Sequence, residues 1–498
     1  MGAIENDTFQ SLVPSRFITF SFPNPDPRDP ANPHGDLLRV AVLDSPLSDA
    51  SAPRCAALLV PKGRELDWIF STENGHLQLL FNSHGVSRLI LIGDLPRETD
   101  VSSAVYVRPE HEVGVSYLQK LKPLLFALAP KEAFRHGLPD TPFISYEDNV
   151  IRSASVSYHH GQVVGDMVVE DVEVESGSPA GREFHRRLRL KRMPNLVQTA
   201  VRLLPETQTG KSGGEATLFR PVTASLIQPY LEAMAAGLSL LGPRLENNQH
   251  SSSSPLRVLC LGVGGGALLM FLRTWFEFDL LGIEADEAIL TVARRYFGLT
   301  EDRRLRICVR DGIELLKGFV CQRVSSTSVG RELARFWAGE GSDNKVDVGI
   351  EQCRGSLENT GVSCNSRTVN EAKFLDEYRV HGMLVDLDSS DARTGLSAPP
   401  LKFVDFSVLQ AARLVLHEDG VIVVNVIPPS NSFYFRIVTE LKAVFSELYE
   451  IDVGNGENYV LIATASPIEF DARGSRNGFA DKLKELVDDR FLNSIKKL

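Results

Sequence analysis

LRVLCLGVGGGALLMFLRTWFEFDLLGIEADEAIL, residues 256–290, decides the fold, because its pattern reads strand, glycine turn, helix, strand and then an acidic pair. Leu256 to Val263 is a short apolar run of aliphatic and β-branched residues, suited to a buried parallel strand. Gly262, Gly264, Gly265 and Gly266 punctuate its end, where missing side chains let backbone N–H groups approach a ligand. Ala267 to Phe276 has the length and composition of a helix, and Asp279 to Glu284 returns as a second strand tipped by Glu284 and Asp286. A membrane-spanning reading of Val258 to Phe276 fails, since four glycines and Arg273 interrupt a span that needs about 20 apolar residues.

An acid at the tip of the second strand can bind ribose hydroxyls, so the layout suits a nucleotide cofactor. Enzymes that use NAD and enzymes that use S-adenosylmethionine share it. The dinucleotide fingerprint G-x-G-x-x-G rests a pyrophosphate on the helix N-terminus, whereas the glycines here bunch as GVGGG with Leu268 and Leu269 following. A glycine cluster alone is also what a tight turn without any ligand requires, and the acid about 20 residues later is what weighs towards a pocket.

The chain has 498 residues, which at about 150 per domain suggests two to four units. A hydrophobic content of 43% with 23% charged residues is that of an ordinary soluble chain rather than a disordered or membrane one. The net charge of −11 disfavours general affinity for nucleic acid and leaves a basic partner open. The six cysteines have no C-x-x-C or other metal-ligand spacing, so reduced structural thiols and no metal site are expected. MGAIENDTFQ has neither a basic n-region nor an apolar h-region, and Asn6 stands where a myristoylation signal wants Ser or Thr, so a cytosolic protein with no membrane association is expected.

Along the chain, residues 1–160 read as a small α/β region, with strand-like runs Phe17 to Phe22, Leu38 to Leu43, Ala56 to Val60 and Arg88 to Ile92. Residues 161–215 read as a β-hairpin region and linker. VVGDMVVEDVEVE (163–175) and FHRRLRLKRMPNLVQTAVRLL (184–204) alternate strongly on either side of the turn-like SGSPAG. The basic run Arg186 to Arg192 is read as one solvated strand face rather than a nucleic-acid patch. TQTGKSGG (207–214) has the G-K-S of a phosphate loop, but Pro205 replaces its first glycine, and the stretch is read as a mobile linker. Residues 216–498 form the main α/β domain, interrupted at 318–380 by a polar, aperiodic loop insertion. Leu305 to Val309 is a third strand leading to Asp311, and Met383 to Leu387 a fourth, delivering Asp386, Asp388 and Asp391. Gly420 to Val426 follows as another strand. Strands and helices alternating in this way predict a doubly wound, Rossmann-like sheet with its site at the strand carboxyl ends.

Four strand ends thus supply GVGGG, Glu284, Asp311 and VDLDSSD, a set that resembles the spermidine-synthase-like branch of S-adenosylmethionine-dependent methyltransferases. From about residue 55 onward the chain is similar to the carboxyl-terminal half of the eukaryotic elongation factor 1A lysine and N-terminal methyltransferases. KGRELDWIF, GDMVVEDVEVE, AMAAGLSLL, IEADEAILTVARRYFG and GLSAPPLKFVDFSVLQ carry that resemblance. It implies an S-adenosylmethionine cofactor surrounded by Gly262, Gly264 and Gly266, its ribose on Glu284, its adenine amino group on Asp311, and Gln198 of the preceding strand pair nearby. It implies a protein substrate, elongation factor 1A, methylated on its α-amine, and, from a branch with frequent dimers, a homodimer. No other glycine-rich strand turn precedes residue 256, so lysine methylation by the family's separate amino-terminal domain is not expected here.

Asp386 and Asp388 are the catalytic candidates, with Asp391 on the acceptor; because they alternate, at most one of the first two would face the cofactor unless the strand ends between them. Two other readings stand beside this one. A polyamine aminopropyltransferase is suggested by VDLDSSD, which resembles an acidic loop that grips diamines, although such enzymes usually place an aspartate just after the glycines, where this chain has Ala267 and Leu268. A non-catalytic cofactor-binding scaffold is the third.

Overall fold

The computed structural model describes residues 7–27, 36–46, 53–83, 85–96, 105–109, 114–135, 137–146, 148–177, 181–209, 215–242, 255–321, 379–389, 398–456, 458–468 and 478–498. Packing divides the described residues into two units, the first made of those up to Val222 together with Arg295–Phe297 and the second of the rest from Thr223 onward.

The first unit holds two sheets. Strands β1 (Phe17–Pro23), β2 (Leu37–Asp44), β3 (Cys55–Leu59), β4 (Arg88–Asp94) and β6 (Phe143–Ile144) form one, in the order β1-β2-β4-β3-β6. Its strands alternate with period two, so each face carries its own apolar set. Leu38, Val40, Val42, Ile90 and Ile92 pack with Leu121, Leu124, Leu125 and Leu128 of helix α3 (Val115–Leu128). Ala41, Leu43, Leu89 and Leu91 pack with Ile69 and Phe70 of helix α1 (Trp68–Ser71) and Leu77 and Leu80 of helix α2 (Glu73–Asn82). Arg88, fully buried, bolts this layer. It donates to both oxygens of Asp44 at 2.6 and 3.1 Å, to the Phe9 and Leu128 carbonyls at 2.7 and 2.6 Å, and to that of Ser11 at 2.9 Å.

The second sheet is antiparallel, in the order β11-β10-β9-β8-β7-β5. It comprises β5 (Val105–Val107), β7 (Val150–Gly161), β8 (Gly165–Glu175), β9 (Arg182–Leu190), β10 (Met193–Thr209) and β11 (Glu215–Val222). The expected hairpin region is therefore the middle of a larger sheet. Two sequence expectations are corrected here. Of the stretch read as a mobile linker, Thr207 to Thr209 instead belong to β10, and Thr209 pairs with Glu215 at the start of β11. Residues 210–214 lie outside the described residues. Arg186 and Arg189 of β9 are not on a solvated face: Arg189 is buried and forked onto Glu170 at 2.8 and 2.9 Å and reaches Asp67 at 2.9 Å, while Arg186 forks onto Asp171 at 2.7 and 2.8 Å. Acids on β8 directly opposite, Glu170 against Arg187 and Asp171 against Arg186, neutralise the run within the fold.

The second unit is built on an eight-stranded sheet in the order β14-β13-β12-β15-β16-β18-β17-β19. Its strands are β12 (Arg257–Leu261), β13 (Asp279–Glu284), β14 (Leu305–Val309), β15 (Val380–Val385), β16 (Leu416–Val426), β17 (Glu447–Asp452), β18 (Tyr459–Thr464) and β19 (Lys496–Lys497). The first five pair in parallel and the last three antiparallel. Helices α4 (Pro229–Gly237), α5 (Ala267–Trp275), α6 (Glu287–Tyr296), α7 (Gly312–Cys321), α8 (Phe406–Val415), α9 (Asn431–Val444), α10 (Gly478–Leu486) and α11 (Asp489–Asn493) complete it. Leu259, Leu261, Met383, Val385, Ile422 and Val424 point to the face covered by α7, α8 and α9, where Leu316, Val408, Ile437 and Leu441 are fully buried. On the other face Gly382 lies against Leu238, and Gly237 against Val423 and Ile462. This is the doubly wound sheet that the alternation predicts. Its order reverses between β12 and β15, which places a crevice at their carboxyl ends.

Candidate functional site

The glycine turn leaves β12 at that reversal. Gly262, Gly264 and Gly266 have φ of +85°, +53° and +82°, a region that side chains disfavour. Two of them are also pinned by packing: a Cβ on Gly262 would lie 2.1 Å from the Asp386 carbonyl oxygen, and one on Gly266 would lie 2.8 Å from Leu299. Gly266 is the N-cap of α5 and offers no side chain to its first-turn N–H groups, which leaves them to a ligand or solvent.

Glu284, buried at the tip of β13, clamps the turn. Its Oε2 accepts from the N–H groups of Val263 and Gly264 at 3.1 and 3.2 Å, and its Oε1 from that of Asp286 at 3.1 Å. Burial raises its pKa, against these backbone hydrogen bonds, which favour the carboxylate. Two other acids cap helices. Asp286 Oδ1 accepts from Ala288 N–H at 3.0 Å at the start of α6, and Asp311 Oδ1 accepts from Ile313 and Glu314 N–H at 2.8 and 3.1 Å at the start of α7, leaving Asp311 Oδ2 outside both cap bonds.

β15 ends at Val385, before either acid, so the alternation argument for Asp386 and Asp388 does not apply: both lie in the loop beyond the strand, half-buried. Asp386 continues the parallel ladder through its N–H to the Leu261 carbonyl at 2.9 Å, which seats it beside the glycine turn. Its Oδ2 accepts from the Tyr230 hydroxyl at 3.2 Å and its Oδ1 from Asn425 Nδ2 at 3.0 Å. Removal from water raises its pKa to about 6, with the charges of Asp388 and Glu284 acting in the same direction and the two hydrogen bonds opposing. Burial, then Asp386 itself, pushes the Tyr230 phenol well above its usual range, so it stays a donor. Asp391 lies outside the described residues. Gln198 belongs to the first unit, where the pairing of β10 with β9 shifts between Val197 and Thr199, so it occupies a bulge.

Sequence reasoning missed Tyr230 and Asn425. Tyr230 opens an apolar helix and gave no local sign of its partner. Asn425 did leave one, as the single polar residue in VIVVNVI (421–427), at the carboxyl end of a buried strand. Among the described residues no group of three or more His, Cys, Asp or Glu side chains is arranged to hold a metal.

No protein-family model matches the chain. Among curated proteins it is 26% identical over 450 residues to the mouse eEF1A lysine and N-terminal methyltransferase, covering 86% of this chain and 53% of that one. It is 24% identical over 409 residues to the Drosophila melanogaster homolog of that enzyme, covering 82% and 48%. The chain thus spans about half the length of the curated relatives it matches. Among solved structures, human methyltransferase-like protein 13 in complex with SAH aligns over 52% of this chain and 92% of its own at 24% identity, with a TM-score of 0.36. Over most of its length the chain is similar to the curated eEF1A lysine and N-terminal methyltransferases, the resemblance its motifs carry.

Proposed function

We propose that this chain is an S-adenosylmethionine-dependent protein methyltransferase acting on the α-amine of elongation factor 1A. The observation that carries the reading is the meeting, at the reversal of the sheet, of a left-handed glycine turn, a buried acid bound to that turn and a carboxyl held between Tyr230 and Asn425. Relatives whose name states this activity support it.

The residues present fit the cofactor. Gly262, Gly264 and Gly266 would border its methionine portion. Glu284, whose carboxylate is held by backbone N–H groups, suits a ribose hydroxyl, and Asp311 Oδ2 is outside the helix cap and suits the adenine amino group. Gln198 is assigned a contributing role by resemblance alone. Bound S-adenosylmethionine would supply a sulfonium methyl for in-line transfer to an amine.

The chain's own part is alignment and proton handling. An α-amine has a pKa of about 7.7 to 8.0, so an appreciable fraction is neutral near pH 7 and no strong base is required. A carboxylate beside it favours the ammonium; Asp386, with Asp388 adding charge, therefore holds the amine and takes the proton released as the N–CH3 bond forms. Ala267 and Leu268, both buried in the first turn of α5, supply no carboxylate there, which favours methyl over aminopropyl transfer. The test is incubation of the full chain with methyl-labelled S-adenosylmethionine and elongation factor 1A, followed by peptide mass spectrometry. Label on the amine of the first residue is expected, and label only on a lysine, or none, refutes the reading.

A further inference from the structure

Asp386 is the end of a chain of amides. Asn455 Nδ2 donates to Asn458 Oδ1 at 2.9 Å, Asn458 Nδ2 donates to Asn425 Oδ1 at 3.3 Å, and Asn425 Nδ2 donates to Asp386 Oδ1 at 3.0 Å. Every donor in this series points towards the carboxyl. Asn425 and Asn458 are both buried, and Asn458 is tied further into the turn between β17 and β18. Its N–H donates to Asn455 Oδ1 at 2.8 Å and its carbonyl accepts from Val453 N–H at 3.1 Å. The register explains the juxtaposition: Val385 pairs with Val424 and Val426 with Tyr459, so Asp386, just past β15, falls beside Asn425, and Asn458, just before β18, lies diagonally from Asn425 at the same end of the sheet.

A buried amide costs free energy unless its partners are met, and a polar series inside an apolar sheet is retained only when it is fully bonded. Here each amide accepts at its oxygen and so polarises its own N–H donor, strengthening the next bond along the series. The last donor therefore meets an acceptor, and a carboxylate is a better acceptor than a carboxylic acid. Tyr230 donates to the other oxygen, while Asp388 and Glu284 face the group with like charge and Cys260 lies beside it on β12 as a neutral thiol.

We infer that Asn425 and Asn458 are positioning residues, which fix the orientation of the Asp386 carboxyl and hold it as an acceptor, tying its state to the turn between β17 and β18. The inference rests on the proposed role of Asp386 as the group that receives the amine proton. Withdrawing the series lets the like charges of Asp388 and Glu284 prevail, and Asp386 takes a proton at higher pH, when it can no longer accept one from the substrate.

The experiment follows the Asp386 carboxyl directly, by carbon NMR of the full chain labelled in its aspartate carboxyls, with the signal assigned from its absence in Asp386→Asn. Asn425→Ala removes a hydrogen bond to a charged group, and the titration midpoint is expected to rise by about one pH unit. Asn458→Ala should move it in the same direction by less, and Asn455→Ala, in the exposed turn, by least; the last leaves the buried core untouched should the others fail to fold. The acid limb of the transfer rate to elongation factor 1A should move with the midpoint. Midpoints that stay put in every folded variant overturn the inference, because a merely structural series would lower stability without moving them. If the native chain transfers no methyl at any pH, the functional reading fails, and the titration still decides whether the amides govern Asp386.

Discussion

Asp386→Asn should make the chain more stable and inactive. In the fold the carboxyl is withdrawn from water and its pKa stands at about 6 against an ordinary 3.8, a difference of about 2 units. At about 1.4 kcal/mol per unit, keeping this group ionised costs the folded state roughly 3 kcal/mol above neutrality. The sign follows from proton binding. Between the two values the folded state holds the proton more tightly than the unfolded one, so native stability is fullest below the lower value and falls as pH rises through the upper. An asparagine carries no charge to bury. It keeps an acceptor for Asn425, and Tyr230 can turn its hydroxyl to accept from the new amide, but two charge-assisted bonds are replaced by neutral ones. The net gain expected near pH 8 is therefore about 1 to 2 kcal/mol, shrinking to about zero near pH 4. Hydrogen exchange of the β15 and β16 amides in a urea series at both pH values reads it. Loss of the group that receives the proton should lower the rate by about 10² to 10⁴. A variant no more stable than the native chain, or stabilised equally at both pH values, refutes the premise that burial opposes the charge. A variant with native activity removes Asp386 from the chemistry.

Gly262→Ala should cost at least about 2 kcal/mol and abolish cofactor binding, because it combines an unfavourable φ with a 2.1 Å approach to the Asp386 carbonyl; calorimetric binding at the native level would contradict this. Glu284→Ala should weaken S-adenosylmethionine binding by at least about tenfold and loosen the glycine turn, since Val263 and Gly264 N–H lose their acceptor; unchanged affinity in a folded variant would show that the acid serves the turn alone. In the first unit His76 is fully buried, with Nε2–H donating to the Phe70 carbonyl at 2.6 Å and Nδ1 unbonded. Burial lowers its pKa from 6.5 to about 4, so the stability it secures is complete above 6.5 and lost as pH falls towards 4, by roughly 3 kcal/mol. His76→Gln keeps the donor and should flatten that dependence in acid unfolding curves. Arg88→Met strands Asp44, which retains Arg16 at 2.9 Å, and should destabilise the first unit by about 3 kcal/mol in urea unfolding.

What was legible in the sequence follows from the range of each interaction. The strand, turn, helix and strand of residues 256–290 are local, and the acid tips of β13, β14 and β15 follow from where apolar runs stop, so Glu284, Asp311 and Asp386 could be located one at a time. The arginines of β9 misled because alternation on a strand says which residues share a face and not what covers it. Glu170 and Asp171 lie 19 and 15 residues away from Arg189 and Arg186 in sequence, yet stand on the next strand. The same holds for Thr207 to Thr209, where turn-like composition outweighed the strand pairing.

By itself the sequence determined the alternation of strands and helices, and hence a parallel sheet doubly wound, because hydrophobic period and glycine placement act within one element or its neighbour. Tertiary structure alone decided which acids cap helices and which face the crevice. It brought Tyr230 to Asp386 across 156 residues and set Asn425 and Asn458 beside it through strand register. Register and strand order depend on how whole apolar faces are buried together, and no window of sequence contains that information.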